Sequence, residues 1–501
     1  MNINKRLLDS INDRNKNTLI LGKAGCGKSE LIKSLASMRD DIILTAPSGI
    51  AAQNIGGRTI QSFFYIKPNT YSFDNNCLHF AEEKIEMINN SNILLIDEIS
   101  MIRCEILDIV DQKLKIIRNN PKPFGGMKLL FLGDMCQMEP VVQETEKDKL
   151  SKQYPGSNGD YNFYNARAMA ENNYFNDTFD IFQIEDDFRH KDDPVFMNIL
   201  NHVRIGKKTT KLLDMINEKY QNKHFYNMNI QYLTVTRSKA QEINEMFINQ
   251  RKNEKHYSYA IITELIPGYY CENISSKTQF LLELLMIEGM KIMFIKNDGY
   301  KNGMRWVNGT FGKIKKIVYR ENLNMIDYVI VEIQGKGDVD VRREKTQISD
   351  SVNFGITDNN NLEVIELEQF PFVPSYAITI DKSQGLTLDK IAVVLGRNNR
   401  PNQIYVALSR VRSLSDIILL DREMRGSDIV FSKTMSSFLD KIDYRIIRVS
   451  NYIHNEQNIT INFNINKLIF SSENQILPPG KDLPLQMAFL KNRNGRKPPV
   501  I

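Results

Sequence analysis

The sequence predicts an α/β protein with two parallel-sheet regions, the second of which is interrupted by a β-rich insertion. In the first third of the chain, four short apolar runs each have the composition of a buried strand, over residues 18–21, 42–45, 93–96 and 129–132. Helical periodicity lies between them, over 29–37 and 105–118. This alternation is typical of a mostly parallel sheet, whose ligands bind at the carboxyl ends of the strands.

A second α/β pattern begins near residue 181 and includes a strand over 232–236 followed by a helix. It then gives way to short strands and turns, over 291–296, 309–319, 328–333 and 339–343, which favour a small β barrel or sheet. The α/β pattern resumes over 377–380 and 390–395. We therefore expect a first domain over 1–185, a second over 186–256 and 369–430, and a β insertion over 257–368.

The end of the chain is less regular. Residues 459–470 alternate like a strand, whereas 478–501 are rich in proline, asparagine and lysine. Chain ends of this composition are commonly poorly ordered. We expect 431–501 to form an extension with a mobile basic tail.

The composition narrows the class of protein. A chain of 501 residues is too long for one core, and 42% hydrophobic with 25% charged residues is ordinary for globular proteins. The net charge of +5 is too mild to identify a partner. The five cysteines and six histidines are dispersed, which argues against a disulfide framework or a zinc site. With no signal-peptide core and no bilayer-spanning apolar run, we expect an intracellular protein of the nucleus or cytosol, without a membrane partner.

A phosphate-binding loop follows the first predicted strand. Residues 22–29 have the sequence GKAGCGKS between a strand and a helix, which is the context that a P-loop requires. Its glycines let backbone N–H groups surround phosphate oxygens, and the helix N-terminus adds partial positive charge. We expect Lys28 to reach the β and γ phosphates of ATP and Ser29 to ligate Mg²⁺. The predicted nucleotide-binding residues are Gly22, Lys23, Ala24, Gly25, Cys26, Gly27, Lys28 and Ser29.

Two adjacent acids, Asp97 and Glu98, follow the strand over 93–96. Asp97 suits the Mg²⁺ position, and Glu98 is placed to orient or deprotonate the attacking water. Taken alone, such a pair is more often a strand end followed by a helix-capping acid. The P-loop favours the catalytic interpretation.

Gln137 lies just past the strand over 127–132, where an amide beside the nucleotide can sense the γ phosphate. In isolation, a solvated loop glutamine is the commoner explanation. The choice between the two depends on how close this loop lies to the P-loop.

Further segments resemble superfamily-one DNA helicases, most closely the petite-integration-frequency (PIF-one) family and its RecD-like and Dda-like relatives. The sequences TAPSGIAA (45–52) and GRTI (57–60) resemble motif Ia, and residues 108–126 resemble the stretch that distinguishes the family. Phe188-Arg189 with 193–194 and 200–206 resembles motif IV. AITIDKSQG (377–385) resembles motif V, and IYVALSRVR (404–412) resembles motif VI. The segments keep the family's order over about residues 4–425.

The resemblance implies two RecA-like domains with ATP and Mg²⁺ in the cleft between them. Arg189 and Arg410 would reach the transferring phosphate from the second domain, and Gly385 would belong to the nucleotide site. For each arginine a surface salt bridge is the simpler alternative. The family also implies a wedge that splits the duplex, here over 66–85, and an SH3-like fold for the β insertion.

The implied activity is that of an ATP-dependent DNA helicase moving 5′ to 3′, with roles in DNA replication, repair, recombination or telomere maintenance. The implied partners are single-stranded DNA and junctions of single- and double-stranded DNA, bound by a monomer that can dimerise on DNA. A nucleic-acid scaffold with little ATPase and an RNA helicase remain alternatives, and DNA-stimulated ATP turnover and competition with RNA would separate them.

The DNA track is expected on loops at the strand ends, where short polar side chains suit phosphate contacts. The predicted DNA-binding residues are Pro47, Ser48, Thr59, Gln61, Thr379, Lys382, Ser383, Gln384 and Tyr405. Phe63, Phe64 and Tyr65 follow motif Ia and are candidates for stacking on bases. For Phe63 and Phe64 core packing is the preferred interpretation.

Four positions depart from the family pattern. Asn4 stands where a glutamine usually reads adenine, and Gln61 and Asp381 replace the histidines of motifs Ia and V. Glu139 replaces a proline of motif III. These differences bear on nucleotide preference and DNA grip rather than on phosphate chemistry.

Overall fold

The computed structural model describes residues 4–66, 70–71, 80–142, 144–221, 227–265, 274, 278–298, 304–320, 325–350, 362–397, 399–447 and 460–462. These residues form two α/β lobes and an antiparallel β region. In the described part of the chain, no helix combines the length and the apolar character needed to cross a membrane.

The secondary structure follows the predicted alternation. The strands are β1 (Asn17–Gly22), β2 (Ile42–Ala46), β3 (Arg58–Thr59), β4 (Ile93–Ile96), β5 (Lys128–Gly133), β6 (Phe179–Ile184), β7 (Gln231–Thr234), β8 (His256–Tyr259), β9 (Ile261–Glu264), β10 (Glu283–Met286), β11 (Lys291–Phe294), β12 (Phe311–Tyr319), β13 (Ile326–Ile333), β14 (Gly337–Val341), β15 (Glu344–Asp350), β16 (Leu362–Gln369), β17 (Phe372–Pro374), β18 (Ala377–Thr379), β19 (Ile391–Val394), β20 (Ile417–Leu420), β21 (Asp443–Ile447) and β22 (Thr460–Asn462). The α-helices are α1 (Lys5–Asn12), α2 (Lys28–Met38), α3 (Gly49–Asn54), α4 (Ile60–Phe63), α5 (Glu82–Asn90), α6 (Cys104–Ile117), α7 (Glu144–Gln153), α8 (Arg167–Ala170), α9 (Tyr174–Thr178), α10 (Pro194–Arg204), α11 (Thr210–Asn217), α12 (Arg237–Asn249), α13 (Gln403–Leu408) and α14 (Lys433–Lys441).

Lobe one is built on a sheet with the order β22-β21-β6-β1-β5-β4-β2-β3, in which only the β21–β22 pair is antiparallel. The central strands β1, β4 and β5 are buried at every residue, because helices cover both faces. Alternate side chains therefore enter different cores, with Leu19 and Leu21 in one and Ile20 in the other. The register places the carboxyl ends of β1, β5 and β4 side by side, so the loops that follow them meet at one edge.

The predicted C-terminal extension over 431–501 begins with residues that pack on lobe one. Helix α14 packs into the core of lobe one through Met435, Phe438 and Leu439, and β21 pairs with β6. The chain thus returns to the first lobe after completing the second, because the edge of β6 and the apolar face beside it would otherwise be uncovered. The predicted strand over 459–470 overlaps β22, and the expected mobile tail lies outside the described residues.

Lobe two has a smaller parallel sheet with the order β18-β7-β19-β20. Its strands come from both sides of the β insertion, as the sequence predicted. Helix α12 packs against β7 and β18, and α10 packs against α13. These contacts bring the segment after β6 and the helix of motif VI to the side that faces lobe one.

The β insertion consists of antiparallel sheets. Its largest has the order β14-β13-β12-β11-β17 and is accompanied by β15-β16-β9 and by the pair β10-β8. Trp306, 1% exposed, stacks on Phe294 in its core at 4.4 Å between ring centroids. The SH3-like description of this region stays a prediction. Most of the predicted wedge over 66–85 lies outside the described residues, and its last part is the start of α5.

Candidate nucleotide and DNA site

The P-loop connects β1 to α2. Gly25 and Gly27 have φ values of 82° and 92°, in the left-handed region that glycine adopts without a steric penalty. Both glycines also permit a close approach of the segment that enters lobe two. A Cβ atom on Gly25 would lie 2.4 Å from the Cβ atom of Arg189, and a Cβ atom on Gly27 would lie 3.0 Å from the Phe188 ring. The Phe188 N–H donates to the Gly25 carbonyl at 2.9 Å. The loop is therefore held against the segment that enters lobe two.

Lys28 is the first residue of α2 and is buried. Its Nζ donates to the carbonyl oxygens of Gly22 at 2.7 Å and Lys23 at 3.1 Å, so the loop curls around the ammonium group. Burial by itself lowers the pKa of Lys28, but the thiol of Cys26 and the carboxylates nearby raise it above its ordinary value. The ammonium group is therefore charged at neutral pH, as phosphate binding requires.

Asp97 and Glu98 lie at the carboxyl end of β4 and are 4% and 9% exposed. Burial, and then the neighbouring Glu98 carboxylate, raises the pKa of Asp97 to about 7. Within the described residues the Glu98 Oε2 atom is buried without a hydrogen-bond partner. Two buried carboxylates are costly unless a cation compensates them. With the half-buried Ser29 hydroxyl nearby on α2, these oxygens fit a Mg²⁺ ion and a water molecule polarised beside it.

Gln137 is 2% exposed, so the solvated-loop interpretation is wrong. Its Oε1 atom is buried and has no partner among the described residues. Its backbone carbonyl accepts a hydrogen bond from the Asn402 side chain of lobe two at 2.8 Å. The loop that carries Gln137 therefore contacts lobe two directly, and its amide oxygen is left available to a ligand.

A buried ionic network joins the lobes behind the P-loop. Asp134, 0% exposed, accepts hydrogen bonds from Arg204 at 2.8 Å and from the Tyr405 hydroxyl at 2.9 Å. Burial by itself raises the pKa of Asp134, but Arg204 and then Lys28 lower it below its ordinary value. The Tyr405 hydroxyl also accepts from the Ala24 N–H of the P-loop at 3.2 Å. Asp134 thus ties lobe two to the P-loop.

Tyr405 was predicted to bind DNA, and the structure contradicts this. The side chain is 3% exposed and its hydroxyl is occupied by Asp134 and the P-loop. Burial, and then Asp134, raises its pKa, so the hydroxyl stays protonated as a donor. The prediction failed because α13 turns the face carrying this residue towards lobe one.

Arg189 and Arg410 meet at the boundary of the lobes. Arg189 donates to the Ser409 carbonyl at 2.7 Å and to Thr387 Oγ1 at 2.8 Å. Arg410 is 1% exposed and donates through Nε to the Val406 carbonyl at 2.8 Å. Burial, and then the charge of Arg189, lowers the pKa of Arg410 to about 10, so the Arg410 guanidinium group is charged at neutral pH. In the described residues neither forms a salt bridge, and the surface-salt-bridge alternative is wrong.

These groups line one cavity of about 420 Å³ between the lobes. Lobe one contributes the P-loop with Lys28 and Ser29, the acids Asp97 and Glu98, and Gln137. From the far side it is lined by Phe188, Arg189, Gly385, Thr387, Arg410 and Arg412. A cavity lined by Lys28, three arginines and the carboxylates of Asp97 and Glu98 fits a polyphosphate together with a divalent cation.

The predicted DNA-contacting residues of lobe one lie on loops at the ends of β2 and β3. Pro47 and Ser48 are half-buried, and the Ser48 hydroxyl caps α3 by accepting from the Ala51 N–H at 3.3 Å. Thr59 caps α4 in the same way, and Gln61 is exposed beside it. Each hydroxyl accepts a backbone N–H, which leaves its O–H group to donate to a phosphate oxygen.

The predicted contacts of lobe two follow β18. Thr379 and Gln384 are 9% and 6% exposed, and the Gln384 Nε2 atom has no partner in the described part of the chain. Lys382 is half-buried, and burial, then Arg237, lowers its pKa to about 8. For the Ser383 side chain the DNA contact is wrong, since it is 0% exposed and its hydroxyl donates to the Ile380 carbonyl at 2.6 Å.

The three aromatic residues after motif Ia divide as expected. Phe63 and Phe64 are 4% and 0% exposed and belong to the core, which confirms the packing interpretation. Tyr65 is 48% exposed with a φ of 49°, which a non-glycine residue holds at a steric cost. Its ring lies 3.8 Å from the Lys84 ammonium and packs edge-on against Phe80. An exposed, fixed aromatic ring beside a cation suits base stacking.

Comparisons with known proteins agree with this site. The family model described as PIF1-like helicase matches residues 2–212, and a second model described as helicase matches 345–427. The ATP-dependent DNA helicase Pif1 of Bdellovibrio bacteriovorus is 29% identical over 412 residues, covering 81% of this chain and 84% of the relative. A solved structure of two coordinating Pif1 helicases at forked double-stranded DNA is 30% identical with a TM-score of 0.71, covering 87% of this chain and 96% of that chain. The chain belongs to the PIF1-like helicases.

The crystal structure of Pif1 helicase from Bacteroides in complex with ADP-AlF3 and single-stranded DNA is also similar. Its TM-score is 0.72 at 29% identity, over 87% of this chain and 96% of that chain. These likenesses confirm two RecA-like domains for this PIF1-like helicase.

The unusual residues of this PIF1-like helicase have partners of their own. Asn4 caps α1 by accepting from the Arg6 N–H at 3.0 Å. Asp381 forms a salt bridge with Arg400, so its negative charge is compensated at the predicted phosphate track. Glu139 accepts hydrogen bonds from Ser432 and, at 2.9 Å, from Thr434, which ties the motif III loop to the start of α14.

Sequence reasoning missed the network around Asp134 in this helicase. Asp134 ends β5 just as Asp97 ends β4, which is a signal for a polar group at the ligand edge of the sheet. Nothing in the spacing of Arg204 and Tyr405 connects them with it, because these two partners lie on different helices of lobe two, α10 and α13. Thr387 and Arg412 also line the cavity and were not predicted.

Proposed function

We propose that this chain is an ATP-dependent DNA helicase that moves 5′ to 3′ along single-stranded DNA and separates duplex DNA. The proposal depends on one observation: groups of lobe one that suit ATP and groups of lobe two that suit its transferring phosphate line the same cavity. It is supported by the relatives, one named an ATP-dependent DNA helicase and one solved with ADP-AlF3 and single-stranded DNA. The polarity rests on the family resemblance.

The chemistry follows from the residues of the cavity. Ser29 and Asp97 would hold Mg²⁺, which supplies positive charge to the phosphate oxygens when bound. Lys28 holds the β and γ phosphates, and the free Oε2 of Glu98 accepts the proton of the attacking water. Arg189 and Arg410 stabilise negative charge on the transferring phosphate, an effect that amounts to about 10³–10⁵ in rate in related enzymes.

Coupling to movement follows from the contacts between the lobes. A nucleotide that engages Lys28 and the arginines together draws lobe two towards lobe one, and the contacts of Asn402 and Tyr405 fix that position. The DNA-facing loops after β2 and β18 belong to different lobes, so they move relative to each other when the cleft closes. Repeated closure would move a bound strand by steps.

The proposed partners are single-stranded DNA and forks, and the proposed site of action is inside the cell, where DNA is found. We propose a monomer in solution that pairs with a second copy on DNA. The structure of two coordinating Pif1 helicases at forked DNA supports the pairing by analogy.

The test measures ATP hydrolysis with and without single-stranded DNA, and strand separation on duplexes that carry either a 5′ or a 3′ tail. We expect stimulation by DNA and unwinding of the 5′-tailed duplex alone. Lys28→Ala is expected to abolish hydrolysis and to leave salt-sensitive DNA binding intact. Absence of DNA-stimulated turnover would favour a scaffold, and stronger competition by RNA than by DNA would favour an RNA helicase.

A further inference from the structure

We propose that Arg251, Lys291 and Lys313 form a second DNA-binding site, which takes the phosphate backbone of DNA outside the cleft between the lobes. The inference rests on the proposed function for the identity of the polyanion as DNA. It rests on the geometry of the β insertion for the site itself.

The three cations converge at the junction of lobe two and the β insertion. Lys291 of β11 and Lys313 of β12 are direct partners in an antiparallel ladder. Arg251 follows α12, and its side chain reaches the same place. Gly289 lies beside both side chains, since a Cβ atom on Gly289 would be 2.9 Å from Arg251 Nη1 and 3.8 Å from Lys313 Cε. Like charges directly opposite each other destabilise a sheet. The fold therefore holds this arrangement at a cost.

Within the described residues none of the three forms a salt bridge; in the ladder Lys313 faces Glu332 of β13 on one side and Lys291 on the other. Burial lowers the pKa of Lys291, and Lys313 and Arg251 lower it further, so the charges that act on it are positive. By contrast, Lys315 on the same strand pairs with Asp338 at 2.9 Å, and Lys345 pairs with Glu366 at 2.6 Å. Unpaired charge is thus a property of this cluster and not of the lysines of the β insertion in general.

A buried tyrosine supports the cluster from inside. Arg251 Nη1 has a hydrogen bond to the Glu288 carbonyl at 3.4 Å. The Tyr376 side chain, 0% exposed and 5.8 Å from the Arg251 guanidinium, interacts with the Arg251 side chain and with the Lys291 backbone, so it helps to hold these two residues in place. The ammonium groups and the other N–H groups of Arg251 are donors that suit an anion with several oxygens.

The site is separate from the proposed DNA track. The loop after β11 meets lobe one near motif Ia, since a Cβ on Gly49 would lie 3.2 Å from Asn297 Oδ1 and 3.0 Å from the Asn308 carbonyl. Lys291 lies at the other end of β11, about 10–13 Å away along a four-residue strand. The exposed Lys316 extends the cluster along β12. An extended polyanion fits this arrangement better than a single phosphate does.

The test compares a variant in which Lys291→Gln and Lys313→Gln are combined with a control that combines Lys315→Gln and Lys345→Gln. Both lose two positive charges from the β insertion, but the control loses only paired ones. Dissociation constants are measured over a series of salt concentrations for an oligonucleotide of about 8 nucleotides, a single strand of about 30 and a forked duplex, the shortest being within the length that one domain covers.

For the cluster variant we expect unchanged binding and ATPase stimulation with the shortest strand. With the longer ligands, the slope of log K against log salt should fall by about 1 to 2, with about tenfold weaker binding near 0.1 M salt. A lower salt slope with the forked duplex alone assigns the site to duplex DNA. A lower salt slope with both longer ligands assigns it to the unpaired strand. The control should change none of these slopes.

Three results would overturn the proposal. One is an equal change in the cluster variant and the control. Another is weaker binding of the shortest strand, which would place the cluster on the track. The third is tight binding of tripolyphosphate to the cluster with no change in DNA slopes. Wild-type protein that fails to show DNA-stimulated ATPase would instead refute the proposed function.

A structural role for the cluster is distinguished by stability. Removing one of two facing like charges should raise the melting temperature at low salt, and Lys291→Gln alone tests this because the ladder places Lys291 opposite Lys313, whereas Lys313 also faces Glu332. A lower melting temperature for this single variant would mean that the lysine supports the fold, and would count against the site. The single variant also keeps the DNA test available if the double variant does not fold.

Discussion

The hydroxyl of Tyr405 offers the sharpest test of how the lobes are joined. Tyr405→Phe removes a donor to the buried Asp134 carboxylate at 2.9 Å and an acceptor of the Ala24 N–H at 3.2 Å, and keeps the ring. A hydrogen bond to a charged group contributes about 1.5–3 kcal/mol, and an unpaired buried N–H costs about 1–3 kcal/mol. Asp134 keeps its salt bridge with Arg204, so we take the lower end of each range and expect the contact between the lobes to lose about 2.5 kcal/mol.

The lost hydrogen bonds should weaken the binding of ATP, because ATP is bound by both lobes together. Because about 1.4 kcal/mol corresponds to a factor of ten, we expect the apparent affinity for ATP in the presence of single-stranded DNA to fall about 60-fold. Binding of single-stranded DNA without nucleotide should be unchanged, since the hydroxyl lies away from the DNA-facing loops. The assays are steady-state ATPase kinetics and fluorescence anisotropy with a labelled oligonucleotide.

A double-mutant cycle with Asp134→Asn completes the test. If the two side chains act through their mutual hydrogen bond, the two effects on ATP affinity will be non-additive by about 1 kcal/mol or more. Additive effects would refute the network. Weaker DNA binding by Tyr405→Phe, equal with and without nucleotide, would restore the DNA contact predicted from the sequence.

Three further predictions concern the cleft and the DNA-facing loops. Glu98→Gln should lower ATP hydrolysis by about 10²–10⁴ while the protein keeps ATP and DNA bound together, as measured by single-turnover assays and nucleotide retention; rapid turnover would contradict the role of Glu98. Because the pKa of Lys382 is about 8 and phosphate binding needs its charged form, affinity for single-stranded DNA should fall as the pH rises above 8, by up to about tenfold per unit. Lys382→Arg should flatten that titration, and an unchanged pH profile would exclude Lys382 from the track. Tyr65→Gly should weaken binding of single-stranded DNA by about 1–3 kcal/mol, the range for one stacked base. The free energy of unfolding should change by less than about 1 kcal/mol, since relief of the steric strain of the left-handed backbone offsets the lost Lys84 contact. Unchanged DNA affinity would assign Tyr65 a packing role.

Much of the nucleotide site was predictable because its parts are local. The P-loop, Asp97 and Glu98 each follow a buried strand directly, and neighbouring parallel strands place their carboxyl ends together. The glycines of the P-loop indicate positions with positive φ, since residues with a Cβ atom adopt positive φ only at a steric cost. For the same reason the strand–helix alternation was enough to predict the α/β fold class.

Other parts of the site depend on contacts between distant segments. Ser383 and Gln384 are adjacent in motif V, yet their side chains differ in availability. The Ser383 hydroxyl donates within its own turn, whereas the Gln384 amide nitrogen has no hydrogen-bond partner among the described residues. The return of α14 and β21 to lobe one gives no local signal either, because an amphipathic helix and a strand fit any uncovered apolar surface. Which surface they cover is decided by what the rest of the chain leaves open.

The sequence by itself determined the fold class and the family and predicted the phosphate and metal chemistry, because these are carried by short segments whose residue types and spacing have one physical use. The tertiary structure decided which side chains face each other across the cleft and which are buried. It placed Tyr405 on Asp134 instead of on DNA, left Gln137 a free oxygen, and set Lys291 opposite Lys313 without an acid between them. Charge pairing and burial are properties of neighbours in space, and the chain order of residues hundreds of positions apart does not contain them.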